Sequence, residues 1–290
     1  MKITFDLHFH ANTYCLMHLL KKQRLKQYRN FLEKINLDYL ASTEHIYKKP
    51  LDTFKYLRES ARDLPTEILP GVEWISKEGI DIIFLFDSEN SLDYALNYLK
   101  SFKKSVWELN NLSQDTNAIT IVPHPFGPGK TSLAKNLGVD NYLSLSKYAD
   151  LVEIQNGAVI PYLHLLLSSN RINKIPARFL KEILFTYNLP FEFRPQGAGW
   201  AIGSDAHLPA TQNVFGVAEV EDMKSFDWFN YLKTQGRLQS LYFEDINKLH
   251  LQRFMRASFH DYLFKKYKLL RKKCSKTVPG NPLNIETLIN

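Results

Sequence analysis

From Lys2 to Gly203 the chain alternates short apolar runs of strand character with longer stretches whose apolar residues recur at helical spacing. That alternation admits few architectures, chiefly parallel strands with helices packed outside them. The first run, Lys2-Ile3-Thr4-Phe5, leads into Asp6-Leu7-His8-Phe9-His10. His18 to Asn36 carries Leu20, Leu25, Tyr28, Phe31, Leu32 and Ile35 close to one helical stripe. Tyr39 to Ser42 reads as a strand ending at Thr43-Glu44-His45, and a helix follows Pro50 to Asp63. Ile68 to Trp74 and Ile80 to Phe86 read as strands, Leu92 to Leu112 as one helix, and Ala118 to Val122 as a strand closed by Pro123-His124-Pro125. Asp150 to Ile154 is a further strand, helical segments fill 160–188, and Trp200 to Ile202 ends in Gly203-Ser204-Asp205-Ala206-His207. With no internal repeat and no low-complexity linker, residues 1–243 are expected to form one α/β barrel.

Along a strand the side chains alternate faces, so His8 and His10 point the same way and can share one metal ion. A histidine pair at a strand end is ordinarily just hydrogen-bonded. What shifts the balance is that His45, Glu73, His124, Glu153, Asp205 and His207 also fall at the ends of expected strands. In a parallel barrel those ends share one face, where active sites assemble. The set is rich in imidazole and carboxylate and lacks thiolate, which favours Mn, Fe, Zn or Mg over a structural zinc knot.

Bulk properties narrow the class. At 44% hydrophobic residues the 290-residue chain can fill a sizeable core. Its two cysteines, Cys15 and Cys274, lie far apart and suit a reducing compartment. The chain enters its first strand without a basic-then-apolar leader, and no apolar run approaches the roughly 20 residues of a membrane helix. The expectation is a cytoplasmic protein. Residues 253–276 carry nine Lys or Arg against one acid, Asp261, which exceeds the net charge of +7 for the whole chain. The rest is therefore slightly negative, and the basicity belongs to one amphipathic segment, 244–274, expected to be a helix packed on the barrel. Its basic solvated face offers a contact to an anionic partner, such as a membrane surface or nucleic acid. Residues 275–290, with Pro279-Gly280-Asn281-Pro282, read as a flexible tail.

The order DLHFH, TEH, PGVE, PHP, VEIQN and GSDAH resembles the polymerase and histidinol phosphatase (PHP) superfamily of metal-dependent phosphoesterases over residues 1 to 220. The resemblance implies a distorted seven-stranded β/α barrel with two or three divalent ions. By motif it implies that His8, His10, Glu73 and Asp205 hold one ion, that Glu73 bridges to a second held by His124 and Glu153, and that His45 and His207 serve a third. It also implies hydrolysis of a phosphate monoester or short phosphodiester by a hydroxide generated at the ions. His207 or His45 would be the proton donor if the third ion is absent. Three positions depart from the pattern. Between Ala11 and His18 only His18 could stand in as a third-ion ligand, and capping of the first helix is an equal use for it. Asp81 lies where many relatives carry His. Glu153 stands where some relatives use Cys or His, though others have Glu followed by Asn, as in Glu153 and Asn156.

Substrate recognition is less readable. Cations suited to a phosphate are Lys130 and Arg194. Gly129-Lys130-Thr131 imitates the end of a P-loop, but the first glycine that motif needs is replaced by His124, which excludes nucleotide-triphosphatase chemistry. Two other classes compete: a metal-dependent amidohydrolase, and a metal-binding PHP scaffold without catalysis. Amidohydrolases open with the same HxH but commonly bridge their metals with a strand-end lysine, which this sequence lacks.

Overall fold

The structure, a computed structural model, describes residues 1–14, 18–127, 131–158, 192–193, 195–207, 212, 214–222, 225–234 and 236–242. The expected helical segments of 160–188, the helix 244–274, the tail 275–290, Lys130 and Arg194 lie outside the described residues. No helix among the described residues is long and apolar enough to cross a membrane.

Nine strands form one sheet: β1 (Lys2–Phe9), β2 (Tyr39–Ser42), β3 (Glu67–Ile75), β4 (Asp81–Leu85), β5 (Ile119–Val122), β6 (Leu151–Asn156), β7 (Gly199–Gly203), β8 (Val214–Glu219) and β9 (Gln239–Tyr242). Their order is β7-β6-β5-β4-β3-β2-β1-β8-β9. The sheet curls until β7 meets β1: His10 donates its N–H to the Ala206 carbonyl at 2.9 Å, and Asp205 donates to the His8 carbonyl at 2.7 Å. At the other end of β7, Trp200 donates to Gly236 at 2.6 Å. The result is a nearly closed, barrel-like wall, in which β1 to β7 account for seven strands and β8 and β9 extend the sheet past β1.

The all-parallel expectation requires correction. β1–β2, β2–β3, β5–β6 and β6–β7 pair in parallel, but β4 runs against both neighbours and β8 against β1 and β9. The reversal at β4 has a local cause. Only Ser76 to Ile80 separate it from β3, far short of the dozen or so residues a parallel crossover needs. Gly79, at φ +81°, supplies the turn, and the Ser76 and Ile80 backbones close the hairpin at 2.9 Å. The expected helix Leu92 to Leu112 is also corrected. It divides into α3 (Glu89–Leu99) and α4 (Leu109–Thr116) because Lys100 and Phe102 between them take positive φ. The other α-helices among the described residues are α1 (His18–Ile35), α2 (Pro50–Ser60), α5 (Leu133–Leu137), α6 (Val139–Leu145) and α7 (Trp228–Thr234).

The faces of the sheet decide where the polar cluster sits. On β3 and β4, Ile68, Val72, Trp74, Ile82 and Phe84 join a core with Tyr28, Phe54, Leu57, Leu92 and Leu109 of the helices. Leu69, Ile83 and Leu85 join a second apolar cluster with Ile121, Leu151 and Ala201 of neighbouring strands. Glu73 has the parity of Leu69 and pairs in register with Ile83, so it turns away from the helices.

Candidate metal centre

The strands that run in the direction of β1 deliver the ligand-type residues to one rim. His8 and His10 project from the end of β1 with their Nε2 atoms 3.1 Å apart. Nε2 of His8 lies 3.4 Å from Glu73 Oε1 and 3.5 Å from Asp205 Oδ1. Nε2 of His10 lies 3.6 Å from Glu73 Oε2 and 3.4 Å from Asp205 Oδ1. From the far side of Glu73, His45 Nδ1 approaches Oε2 at 2.5 Å and His124 Nε2 approaches Oε1 at 3.4 Å. The ring of His207 stacks on that of His10 at 4.5 Å between centroids. Three groups thus present converging donor atoms: His8, His10 and Asp205; His8, Glu73 and His124; His10, His45 and His207.

Two backbone strains belong to this rim. His124 (φ +30°) and Asp205 (φ +48°) both occupy the left-handed region, which a non-glycine residue adopts at a cost that surrounding contacts must offset. For His124 the offset comes from its N–H, donated to Glu153 Oε2 at 2.5 Å. For Asp205 it is the bond to the His8 carbonyl, together with the neighbouring Ser204, whose N–H and hydroxyl donate to Asp6 at 2.9 and 2.6 Å. Gly203 is glycine because a Cβ there would collide with Cβ of His8 and lie 2.6 Å from Glu153 Oε1.

Burial opposes charge on every group here, and at His8, His10, His124, Glu73 and Asp205 the opposite charges nearby outweigh it. The carboxylates of Asp205 and Glu153 hold His8 well above the ordinary imidazole value despite burial. Against the same burial, Asp205 and Glu44 lift His10 to about 9, and Glu73 with Asp205 lifts His124 to about 9. Glu73 is driven well below the usual carboxylate range by His45 and His124, and Asp205 is lowered by His8 and His10. His45 and His207 move the other way. Burial lowers both, and the charge on His10 reinforces this and brings His207 to about 3. Buried carboxylates at this density need compensating positive charge, and among the described residues Glu73 and Asp205 find it in imidazoles. Glu73 Oε2 and His10 Nδ1 have no hydrogen bond of acceptable geometry, although nitrogen and oxygen neighbours lie at 2.5 and 3.6 Å. Unpartnered buried donor atoms, imidazole and carboxylate without thiolate, are a set that fits divalent cations.

Of the residues expected from the sequence, His8, His10, Glu73, His124 and Asp205 converge directly, His45 joins at Glu73, and His207 joins through His10. Glu153 takes a supporting place: Oε1 lies 3.1 Å from Nδ1 of His8, and Oε2 accepts from the His124 backbone and from Asn156 Nδ2 at 3.0 Å. His18 is the first residue of α1, and its side chain lies outside the description. Three carboxylates were missed as site residues. Glu44, fully buried, lies 3.6 Å behind His10 Nδ1 and accepts the Asn12 N–H at 2.7 Å; His10 and Lys48 help hold it near 2 against burial. Asp6, also fully buried and pushed to about 6 by that burial, accepts from Ser204 and from Gln212 Nε2 at 2.6 Å. Asp81, noted only as a departure, opens β4 on the same rim because that strand is reversed. Burial and the charge of Glu73 push it to about 7. The signal for Glu44 was its place beside His45 at a strand end; for Asp6 it was a charge inside an apolar strand.

No protein-family model matches the chain, and no curated protein matches it by sequence. Solved structures do match. PsfC from Pseudomonas syringae superposes with a TM-score of 0.55 at 17% identity, covering 89% of this chain and 96% of that one. A two-domain protein from Bacteroides vulgatus, containing a predicted PHP-like metal-dependent phosphoesterase, gives 0.51 at 15% identity, with 88% and 70% covered. The lesion-specific endonuclease PfuEndoQ from Pyrococcus furiosus gives 0.51 at 14% identity, and this chain covers 58% of its length. By fold, this chain is similar to PsfC, to a protein containing a predicted PHP-like metal-dependent phosphoesterase and to a lesion-specific endonuclease.

Proposed function

We propose that the chain is a metal-dependent phosphoesterase acting at this rim. The observation that carries the reading is the position of Glu73, one buried carboxylate within 3.6 Å of nitrogens on four imidazoles, those of His8, His10, His45 and His124. In this reading His8, His10, Glu73 and Asp205 hold one divalent ion, and Glu73 with His124 holds a second. His45 and His207, with His10 beside them, hold a third. Manganese, zinc and iron all suit such ligands, and magnesium is the harder alternative. Divalent ions at such a site polarise a phosphoryl oxygen and lower the pKa of water from 15.7 towards about 7.

The chain's own residues orient this arrangement. Glu153 stands behind His8 and fixes which ring nitrogen faces the rim, and Glu44 lies 3.6 Å behind Nδ1 of His10. Glu153 is therefore placed to position a ligand rather than to be one. His45 and His207 are held below the ordinary imidazole value, so both are neutral near pH 7. That suits ligand nitrogens better than the proton donors their strand-end positions first suggested.

The substrate is a small phosphorylated molecule or a short nucleic acid. PfuEndoQ is a lesion-specific endonuclease, which keeps phosphodiesters among the candidates. Outside its basic C-terminal segment, however, the chain is slightly negative, which disfavours a long polyanion across the barrel. The test is purified full-length protein with added manganese, assayed on phosphate monoesters, phosphodiesters and amides. Ester hydrolysis lost on chelation supports the proposal. Turnover of amides alone would favour an amidohydrolase, and bound metal without turnover a scaffold.

A further inference from the structure

We propose that Arg24 and Lys48, both seated on Asn12 beside the group of His10, His45 and His207, form a subsite for a second anionic group of the substrate. The ester taken at the rim then carries a carboxylate or a further phosphate besides the phosphate that reacts. Arg24 Nη1 donates to the Asn12 carbonyl at 3.2 Å, and Lys48 Nζ donates to Asn12 Oδ1 at 3.0 Å. Asn12 follows shortly after His10 and takes φ +52°. It is fixed in turn: its N–H donates to Glu44 Oε2 at 2.7 Å, and its Nδ2 donates to the His207 carbonyl at 3.4 Å.

Both cationic heads rest on neutral oxygens. The carboxylate near Lys48 is Glu44, whose Oε1 lies 3.7 Å from Nζ, too long for a hydrogen bond, and already faces His10. Among the described residues no carboxylate forms an ion pair with Arg24. Both side chains are half-buried, and a cation withdrawn from water without an opposite charge is costly. Tying α1 and the 3₁₀ turn Ile46–Lys48 to Asn12 would need only neutral donors. Setting two like charges on one residue instead creates a deficit that an incoming oxyanion offsets. A guanidinium has five donors and an ammonium three, so both keep donors after these bonds. Guanidinium in particular matches carboxylate and phosphate in bidentate geometry. The charge of Lys48 also reaches the centre, where it helps lower His45 and His207, so an anion held here adjoins the rim.

The inference rests on the phosphoesterase reading in that the reacting phosphate is anchored at the rim. Its test therefore measures binding and leaves turnover aside. Calorimetry with manganese-loaded full-length protein would use alkylphosphonates of graded chain length, which have no ester to cleave. Each would end in a carboxylate, a second phosphonate or a neutral amide. At one length the anionic ends should bind roughly 10- to 100-fold tighter than the amide, as charge-assisted hydrogen bonds imply. The better of the two anionic ends identifies the group. Arg24→Gln and Lys48→Gln keep a donor for Asn12 and remove the charge, so each should shrink the preference, whereas Lys48→Arg should retain it. Equal or undetectable binding of anionic and neutral ends at every length, or a preference that survives both glutamine variants, overturns the subsite. Ester hydrolysis in the preceding assay would in that case leave the phosphoesterase standing. A charge-dependent preference without any hydrolysis would count against the phosphoesterase alone.

Discussion

Glu153 stands directly behind His8, its Oε1 at 3.1 Å from Nδ1, while Nε2 of the same ring faces Glu73 and Asp205. A carboxylate in that position fixes the tautomer and makes the outer nitrogen a better ligand. Glu153→Gln keeps the shape and removes the charge. Metal affinity should fall roughly 10- to 100-fold with the fold retained. Isothermal titration with manganese reads this directly, and an unchanged affinity would show that the carboxylate does not orient the ring.

Glu73 and Asp205 are the carboxylates of the converging groups, one in each of two. Replacing either with Ala should abolish metal-dependent ester hydrolysis and lower the number of ions retained after dialysis. Full activity in either variant would sink the assignment.

Protons and metal ions compete for these nitrogens. His10 and His124, raised to about 9 in the metal-free fold against about 6.5 unfolded, are protonated at pH 7. Their contribution to metal-free stability is fully present below pH 6.5 and lost as pH rises through 9. Metal ligation needs the neutral rings, so affinity should climb over the same window and binding at pH 7 should release protons. Calorimetry in buffers of differing ionisation enthalpy measures that release. No buffer dependence would contradict it.

Gly203 is where β7 presses closest on His8 and Glu153. Gly203→Ala forces the two strands apart, and overpacking of this kind costs ~1–3 kcal/mol. Urea denaturation should show that loss together with weakened metal binding. A loss of stability with metal affinity intact would mean the contact serves packing only.

Much of this centre was legible because strand ends are marked by short apolar runs, and in a barrel strand ends of like direction share a rim. His8, His10, Glu73, His124 and Asp205 could be located on that basis alone. Direction was not legible in the same way. Nothing in the apolar run of β4 distinguishes a strand entering the rim from one leaving it, so Asp81 passed as an anomaly; the short Ser76 to Ile80 link was the available clue. The break between α3 and α4 falls at Lys100 and Phe102, neither of which is a residue type that announces a left-handed turn. Glu44 and Asp6 escaped because a buried carboxylate is recognised by its donors, and those come from Asn12, Ser204 and Gln212, remote in the chain from at least one of them.

The hydrogen bonds that bring β7 against β1 run through His10, Asp205 and Ala206, residues of the rim itself. Circularising the sheet and assembling the ligand cluster are therefore one and the same event. A polypeptide stopped short of Gly203 would lack both together, since the residue that completes the set also supplies the last staves. The groups that include Asp205 and His207 would both be incomplete in it.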